Sequence, residues 1–149
     1  MGVKNTSARL GNIYVLSNPA MPGIVKIGYT EKKASDRAAE LSLSTSVPLP
    51  FVVEYEQLVE TPSNFESMVH GKLARYRISN DREFFRISAD EAETVIRQTL
   101  FGSEKLDVEK EISHLTRLYR KYPNRFKQAE QLISSMEKAV AGFTERKKG

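Results

Sequence analysis

The chain has no cysteine and no tryptophan, and only two histidines. Without cysteine there can be no disulfide and no thiolate metal site, so any metal must be held by oxygen ligands or by His70 and His114. The same lack fits a cytoplasmic protein. No stretch approaches the run of about twenty apolar residues that spans a bilayer. The first residues, M-G-V-K-N-T-S-A-R-L, lack the apolar centre of a signal peptide, so export is not expected. Excess charge is also missing from most of the chain: residues 1–100 carry 12 Lys and Arg against 12 Asp and Glu, and residues 101–149 carry 11 against 7. The whole net charge of +4 therefore lies in the tail. It is compatible with nucleic-acid binding and equally ordinary for a soluble protein. With 149 residues, the chain has room for one compact domain and an appendage.

What is present begins at Gly11. Ile13–Leu16 and Ile24–Ile27 are short β-branched and aliphatic runs, separated by Asn18, two prolines and Gly23, the punctuation of an antiparallel hairpin. Strand alternation puts Tyr14 with Leu16 on one side and Lys26 with Ile24 and Gly28 on one side, so a phenol and an amine can meet across the hairpin. Ser35 can cap a helix that runs to about Leu43, and Pro48 and Pro50 force an extended link after it. In F-V-V-E-Y-E-Q-L-V, Phe51, Val53 and Tyr55 alternate with Val52, Glu54 and Glu56, which predicts a third strand with one wet face.

Ser63 and Glu66 have the spacing of a capping box, opening a helix that continues to Tyr76 with Phe65, Met68, Val69, Leu73 and Tyr76 as its buried stripe. Asn80-Asp81 reads as a turn, Glu83–Ile87 as a short extended or irregular segment, and Ser88 with Glu91 as a second capping box that starts a helix to about Leu100. The tail carries two apolar stripes, Leu106, Val108, Ile112, Leu115, Leu118, Tyr119 and Tyr122, then Phe126, Ala129, Leu132, Ile133, Met136, Val140 and Phe143, broken at Pro123-Asn124. This is an α-hairpin, and a pair this short needs the core or a second subunit to pack on, so a homodimer is one expectation. The fold class is α/β (mixed α+β): a small three-stranded antiparallel sheet flanked by helices, with a C-terminal α-hairpin. The expected domains are a flexible N-terminus over residues 1–10, a core over 11–101 and a helical extension over 102–149.

The order I-Y-V, about ten residues, K-I-G, then Arg37 near a helix start resembles the GIY-YIG nuclease superfamily. Ile13-Tyr14 stands for its first motif and Lys26-Ile27-Gly28 for its second. V-K-I-G-Y-T, the helix containing His70, and R-E-F-F are similar to the small phage and bacterial branch named after an open reading frame of phage T-five. Asn12 replaces the glycine of the first motif, with Gly11 one place earlier, and Lys26 replaces the tyrosine that usually opens the second.

The resemblance implies metal-dependent phosphodiester hydrolysis on DNA, an endonuclease or nicking activity using Mg²⁺ or Mn²⁺. Tyr14 becomes the candidate general base; a free phenol titrates near ~10 and needs a neighbouring cation to favour its phenolate, which Lys26 can supply. Arg37 would hold a phosphate oxygen, or simply pair with Glu40. For the single metal carboxylate, Glu66, His70 and Glu83 compete. Glu83 is preferred because the capping box already accounts for Glu66, with His70 orienting Glu83 or contacting phosphate. Lys72, Arg75, Arg77 and Arg82 follow His70, and Arg117, Arg120 and Lys121 lie between aromatics with no acid from Ser113 to Lys127, a pattern that suits DNA phosphates or a solvated helix face. Two other readings stay open: a nucleic-acid-binding module without cleavage, and a dimerising structural protein.

Overall fold

The computed structural model describes residues 9–102, 107–126 and 129–148. Of the loose N-terminus expected over residues 1–10, residues 1–8 lie outside them, as do Leu106, Lys127 and the side chains of Ala129, Leu132 and Phe143; Leu10 is instead buried and opens the first strand, because its apolar side chain joins the core. The chain divides into two compact units, residues 1–104 and 105–149.

In the first unit β1 (Leu10–Ser17) and β2 (Val25–Thr30) form the expected hairpin, with Tyr14 opposite Gly28 and Leu16 opposite Lys26. Buried Asn18 shapes the turn, accepting from the Ala20 amide at 2.9 Å and donating to the Leu49 carbonyl at 2.7 Å. β3 (Val52–Glu60) pairs with the other side of β1. The sheet has four strands rather than three, in the order β3-β1-β2-β4, because Phe84–Phe85 forms a short β4 against Val25 and Lys26. Two residues are too few for a period to reveal, and only pairing makes them a strand.

α1 (Ala34–Ser42) covers one face of the sheet, its Ala34 and Ala38 packed with Tyr14 and Leu16. α2 (Pro62–Lys72) and α3 (Ala89–Phe101) cover the other, where Phe65, Val69, Ala92 and Ile96 join Ile13, Val15, Val25, Ile27 and Phe85. The expected alternation of β3 fails at one point. A bulge sets Val15 against Tyr55 but Leu16 against Val53, leaving Glu54 without a partner in the register. Tyr55 therefore packs on the α2 and α3 face while Val53 packs with α1.

Two helix starts also differ from expectation. α1 begins after Lys33 with no side-chain cap, so Ser35 is not its cap; the Glu56 carboxylate, reaching across from β3, accepts from the Ala34 amide at 3.1 Å. α2 begins at Pro62, with Thr61 as N-cap and no side-chain cap bond, so Ser63 and Glu66 form no capping box. Proline suits the first helical position, and that local preference sets the start one residue before Ser63. The regular helix also stops at Lys72, followed by a 3-10 turn over Ala74–Tyr76, and Met68 is exposed rather than part of the buried stripe. α3 opens as expected, Ser88 Oγ accepting from the Glu91 amide at 3.1 Å, and closes on Gly102, whose φ of 70° suits a residue without a Cβ.

The second unit is the expected α-hairpin, α4 (Val108–Lys121) and α5 (Ala129–Lys148), joined through a 3-10 turn at Pro123–Arg125. Leu118 is fully buried, and the Tyr119 and Phe126 rings meet edge to face at 4.4 Å. No helix among the described residues is long and apolar enough to cross a membrane.

Candidate active site

β4 ends after pairing with Val25 and Lys26, while β2 runs on to Thr30. The Ile27 amide still donates to the Glu83 carbonyl at 3.1 Å, but Gly28 and Tyr29 lie beyond the paired stretch. Side chains from several elements converge on this open length of strand.

Tyr14 comes from β1, its ring buried against α1 and its hydroxyl directly over Gly28. A Cβ at Gly28 would overlap the Tyr14 hydroxyl and stand 3.0 Å from Glu83 Oε2, so glycine is required for both groups to occupy this space. Burial pushes the Tyr14 hydroxyl up to about 12, hydrogen bonding to Arg37 pulls it down, and the charge of Glu83 raises it again. At neutral pH it is a phenol.

The cation beside Tyr14 is thus Arg37, one turn into α1, and Lys26 has another partner. Its ammonium pairs with Glu83 Oε2 at 3.2 Å and lies over the Phe84 ring. The expected phenolate held by Lys26 is corrected to a phenol held by Arg37. Arg37 also donates to Glu40 Oε2 at 3.1 Å, as its structural reading foresaw, and Glu40 Oε1 accepts from Lys32 at 2.6 Å. The Glu40 bond is the chief cause that raises Arg37 above its ordinary value.

Glu66 reaches the same edge from α2. Its side chain is 13% exposed, and its Oε2 is buried with no hydrogen-bond partner. Burial first, then the nearby charge of Glu83, pushes its carboxyl up to about 7, against the pull of Lys26, Arg77 and the Tyr29 amide. With the capping box gone, the reason for preferring Glu83 over Glu66 as metal carboxylate goes too. The helix start at Pro62 places Glu66 in the second turn, and that proline was the signal in the sequence.

His70, one turn further along α2, is buried, with Nε2 2.8 Å from the Ile27 carbonyl and its ring 5.0 Å from that of Phe85. A carbonyl only accepts, so Nε2 carries the proton and Nδ1 turns its lone pair toward Glu66 Oε1 at 3.9 Å. Burial is the main cause that holds the imidazole below its ordinary value.

Of the basic residues, Arg77 is drawn in. It stacks over Phe85 and its charge is felt at both Glu66 and His70. Its Nε donates to the Arg82 carbonyl at 2.8 Å. Lys72 and Arg75 instead border a cavity of about 410 Å³ floored by Leu73, Ile87 and Val95. Arg117, Arg120 and Lys121 belong to the second unit.

Glu66 and Glu83 are the residues at this edge that could hold a divalent metal. Glu66 offers a buried carboxylate oxygen with no partner, a second carboxylate stands close enough to perturb it, and both are hard oxygen donors of the kind Mg²⁺ favours. No cluster of three or more His, Asp or Glu occurs among the described residues, so such an ion would take one or two protein ligands, the rest coming from water and phosphate.

Residues 11–100 match the T5orf172 domain. The chain belongs to this family. The T5orf172 domain is associated with nuclease-type modules, and its match covers the sheet, α1, α2 and almost all of α3 but none of the C-terminal hairpin. No curated protein and no solved structure matches the chain.

Proposed function

We propose that the T5orf172 domain of this chain is a GIY-YIG-type, metal-dependent endonuclease that nicks or cuts DNA. One observation carries the reading: the Tyr14 hydroxyl and the Glu83 carboxylate both border the space above Gly28, with Arg37 on the hydroxyl. A phosphate placed there meets the Arg37 guanidinium, whose planar donors suit its oxygens. The attacking water gives its proton to the Tyr14 oxygen as Tyr14 passes its own to Glu83, because a phenol raised to about 12 must release one proton to accept another. Lys26 holds Glu83 in place for that transfer. The hydroxide so formed attacks phosphorus, and the bond to the leaving oxygen breaks. Glu66 would hold the divalent metal, with water and phosphate as its other ligands, and the ion would supply stabilisation for charge on phosphorus and the leaving oxygen. His70 fixes the strand at Ile27 and so the position of Gly28.

The test is nicking of supercoiled plasmid with Mg²⁺ or Mn²⁺. Tyr14→Phe is expected to lower the rate by about 10²–10⁴-fold, the usual worth of a positioned proton-transfer group, with DNA affinity nearly unchanged. Cleavage by the Phe variant at the wild-type rate removes Tyr14 from the chemistry. One observation favours a second reading, a DNA-binding module without cleavage: Lys26 is spent on Glu83 and does not activate Tyr14. Wild-type protein that binds DNA but leaves plasmid intact with either metal decides for it.

A further inference from the structure

The turn that follows β2 is fixed at its backbone. A Cβ on Gly11 would stand 2.7 Å from the Thr30 carbonyl oxygen, so the lack of a side chain there lets the start of β1 lie close against the turn. Asn12 Nδ2 donates to the Lys32 carbonyl at 3.1 Å, and the Lys32 amide donates to Thr30 Oγ1 at 3.1 Å. Gly11 and Asn12, where the first motif departs from its usual form, thus set the place of Lys32. From there the ammonium reaches α1, where Glu40 Oε1 accepts from it at 2.6 Å and Glu40 Oε2 accepts from Arg37 at 3.1 Å. One carboxylate bridges two cations, and one of these is the guanidinium on the Tyr14 hydroxyl.

Helix preference does not account for that carboxylate. Glu40 stands in the last turn of α1, at the negative end of the helix, where an acid is disfavoured and no basic residue accompanies it. Solvent keeps both pairs weak: the Lys32 side chain is 64% exposed and that of Glu40 40%, so a competing anion can take its place. A phosphodiester suits the same two partners. It too spreads one negative charge over two oxygens, and charge-assisted bonds from lysine and arginine are what hold backbone phosphates.

We infer that Lys32 and Arg37 form a two-cation seat for a DNA backbone phosphate, and that Glu40 is its resident occupant, displaced when DNA arrives. In the free protein Glu40 keeps the two cations side by side; in the complex it has yielded them to phosphate. The choice of DNA as the anion rests on the proposed function, whereas the bridged cations beside Tyr14 do not.

The experiment uses the full chain in EDTA, so that no cleavage enters, and follows binding of a short mixed-sequence duplex by fluorescence anisotropy from about 50 to 200 mM salt. Glu40→Gln, which keeps the size and removes the charge, is expected to raise affinity severalfold across that range. Lys32→Gln is expected to weaken binding and to make log affinity fall less steeply with log salt, by about 0.9, the worth of one phosphate contact. Glu31→Gln removes an equal charge from the same turn, where Glu31 pairs with Arg9, and should raise affinity less than Glu40→Gln does. Weaker binding by Glu40→Gln overturns the inference, because Glu40 is then a prop for Arg37 and not a competitor for it. So does an equal gain in Glu31→Gln, which is the general effect of net charge, or an unaltered slope in Lys32→Gln. Nicking is assayed separately at saturating DNA. A wild-type protein that fails to nick, while Lys32→Gln loses slope and Glu40→Gln gains affinity, defeats the catalytic reading and leaves this one standing.

Discussion

The two faces of the sheet are built differently. Toward α2 and α3 the strands present Ile13, Val15, Val25, Ile27 and Val59 to a continuous apolar layer with Phe65, Val69, Phe85 and Ile96. Toward α1 the fully buried set is only Tyr14, Leu16, Ala34 and Ala38, and beside it stand Arg37, Lys26 and Glu83. A large dry layer can hold the backbone while the thin one leaves charged groups at the surface, where they can meet a substrate. On the proposed function, stability and chemistry then fall on opposite sides of the same strands. Glu66 is the exception, since its helix belongs to the large layer and its carboxylate to the site.

The largest expected effect on stability comes from the thick side. Ile96→Ala should cost about 2–5 kcal/mol, the transfer term plus a cavity under α3. Denaturant melts give the loss, and plasmid nicking well below the transition should remain near wild type; a variant that stays folded yet has lost cleavage would mean the two faces are not separable.

Glu66 provides the next effect. Its carboxyl lies at about 7 in the folded chain against an ordinary 4.5, so between those values the folded state binds a proton that the unfolded state does not. Stability conferred by that proton is complete below the unfolded value and is lost as pH rises through the folded one, up to about 3 kcal/mol over the window. Melting temperature should therefore fall from about pH 5 to about pH 8, and Glu66→Gln should flatten the profile. If Glu66 holds a divalent ion, added Mg²⁺ should restore wild-type stability at the upper end and do nothing for the Gln variant. An equal slope in both proteins would place the titrating group elsewhere.

The smallest loss of stability, with the sharpest loss of activity, is expected at Gly28→Ala. The new methyl must displace the Tyr14 hydroxyl and crowd Glu83, costing about 1–3 kcal/mol as overpacking does while disturbing the groups to which cleavage is assigned in the proposed function. Full nicking activity in a Gly28→Ala protein would show that Tyr14 and Glu83 need not share the space above this residue.

What could be read in the sequence was local. The hairpin, the Ser88 cap with its Gly102 stop, and the two tail helices each follow from neighbours within a few residues. Tyr14, Lys26, Arg37, His70 and Glu83 are candidates legible in the sequence, and each lies beside β2 or against a residue that does. Their partners were less visible. Lys26 meets Glu83 across 57 positions of sequence, a separation at which no spacing rule speaks. Arg37 was expected on phosphate or Glu40, and it lies against the phenol as well. Glu66 was set aside on a capping-box spacing that Pro62 outranked. The open end of β2 depends on β4 being only two residues long, which is a fact of pairing and not of pattern.

The bulge at Glu54 has a consequence for how this chain can vary. β3 holds one residue more than its pairing with β1 uses, and the extra residue hangs at the margin with Ser17 Oγ donating to its carboxylate at 2.6 Å. It acts as a slack link. A sequence shortened by one at Glu54 would keep Val53 facing α1, Tyr55 facing α2, and Glu56 under the first amide of α1. Shortened by one anywhere from Leu58 to Glu60, the strand could hold Val53 in place by drawing on the slack, but Tyr55 and Glu56 would each change face and α1 would lose the carboxylate at its first amide. Only a length change at Glu54 itself is therefore absorbed without disturbing the rest of the strand.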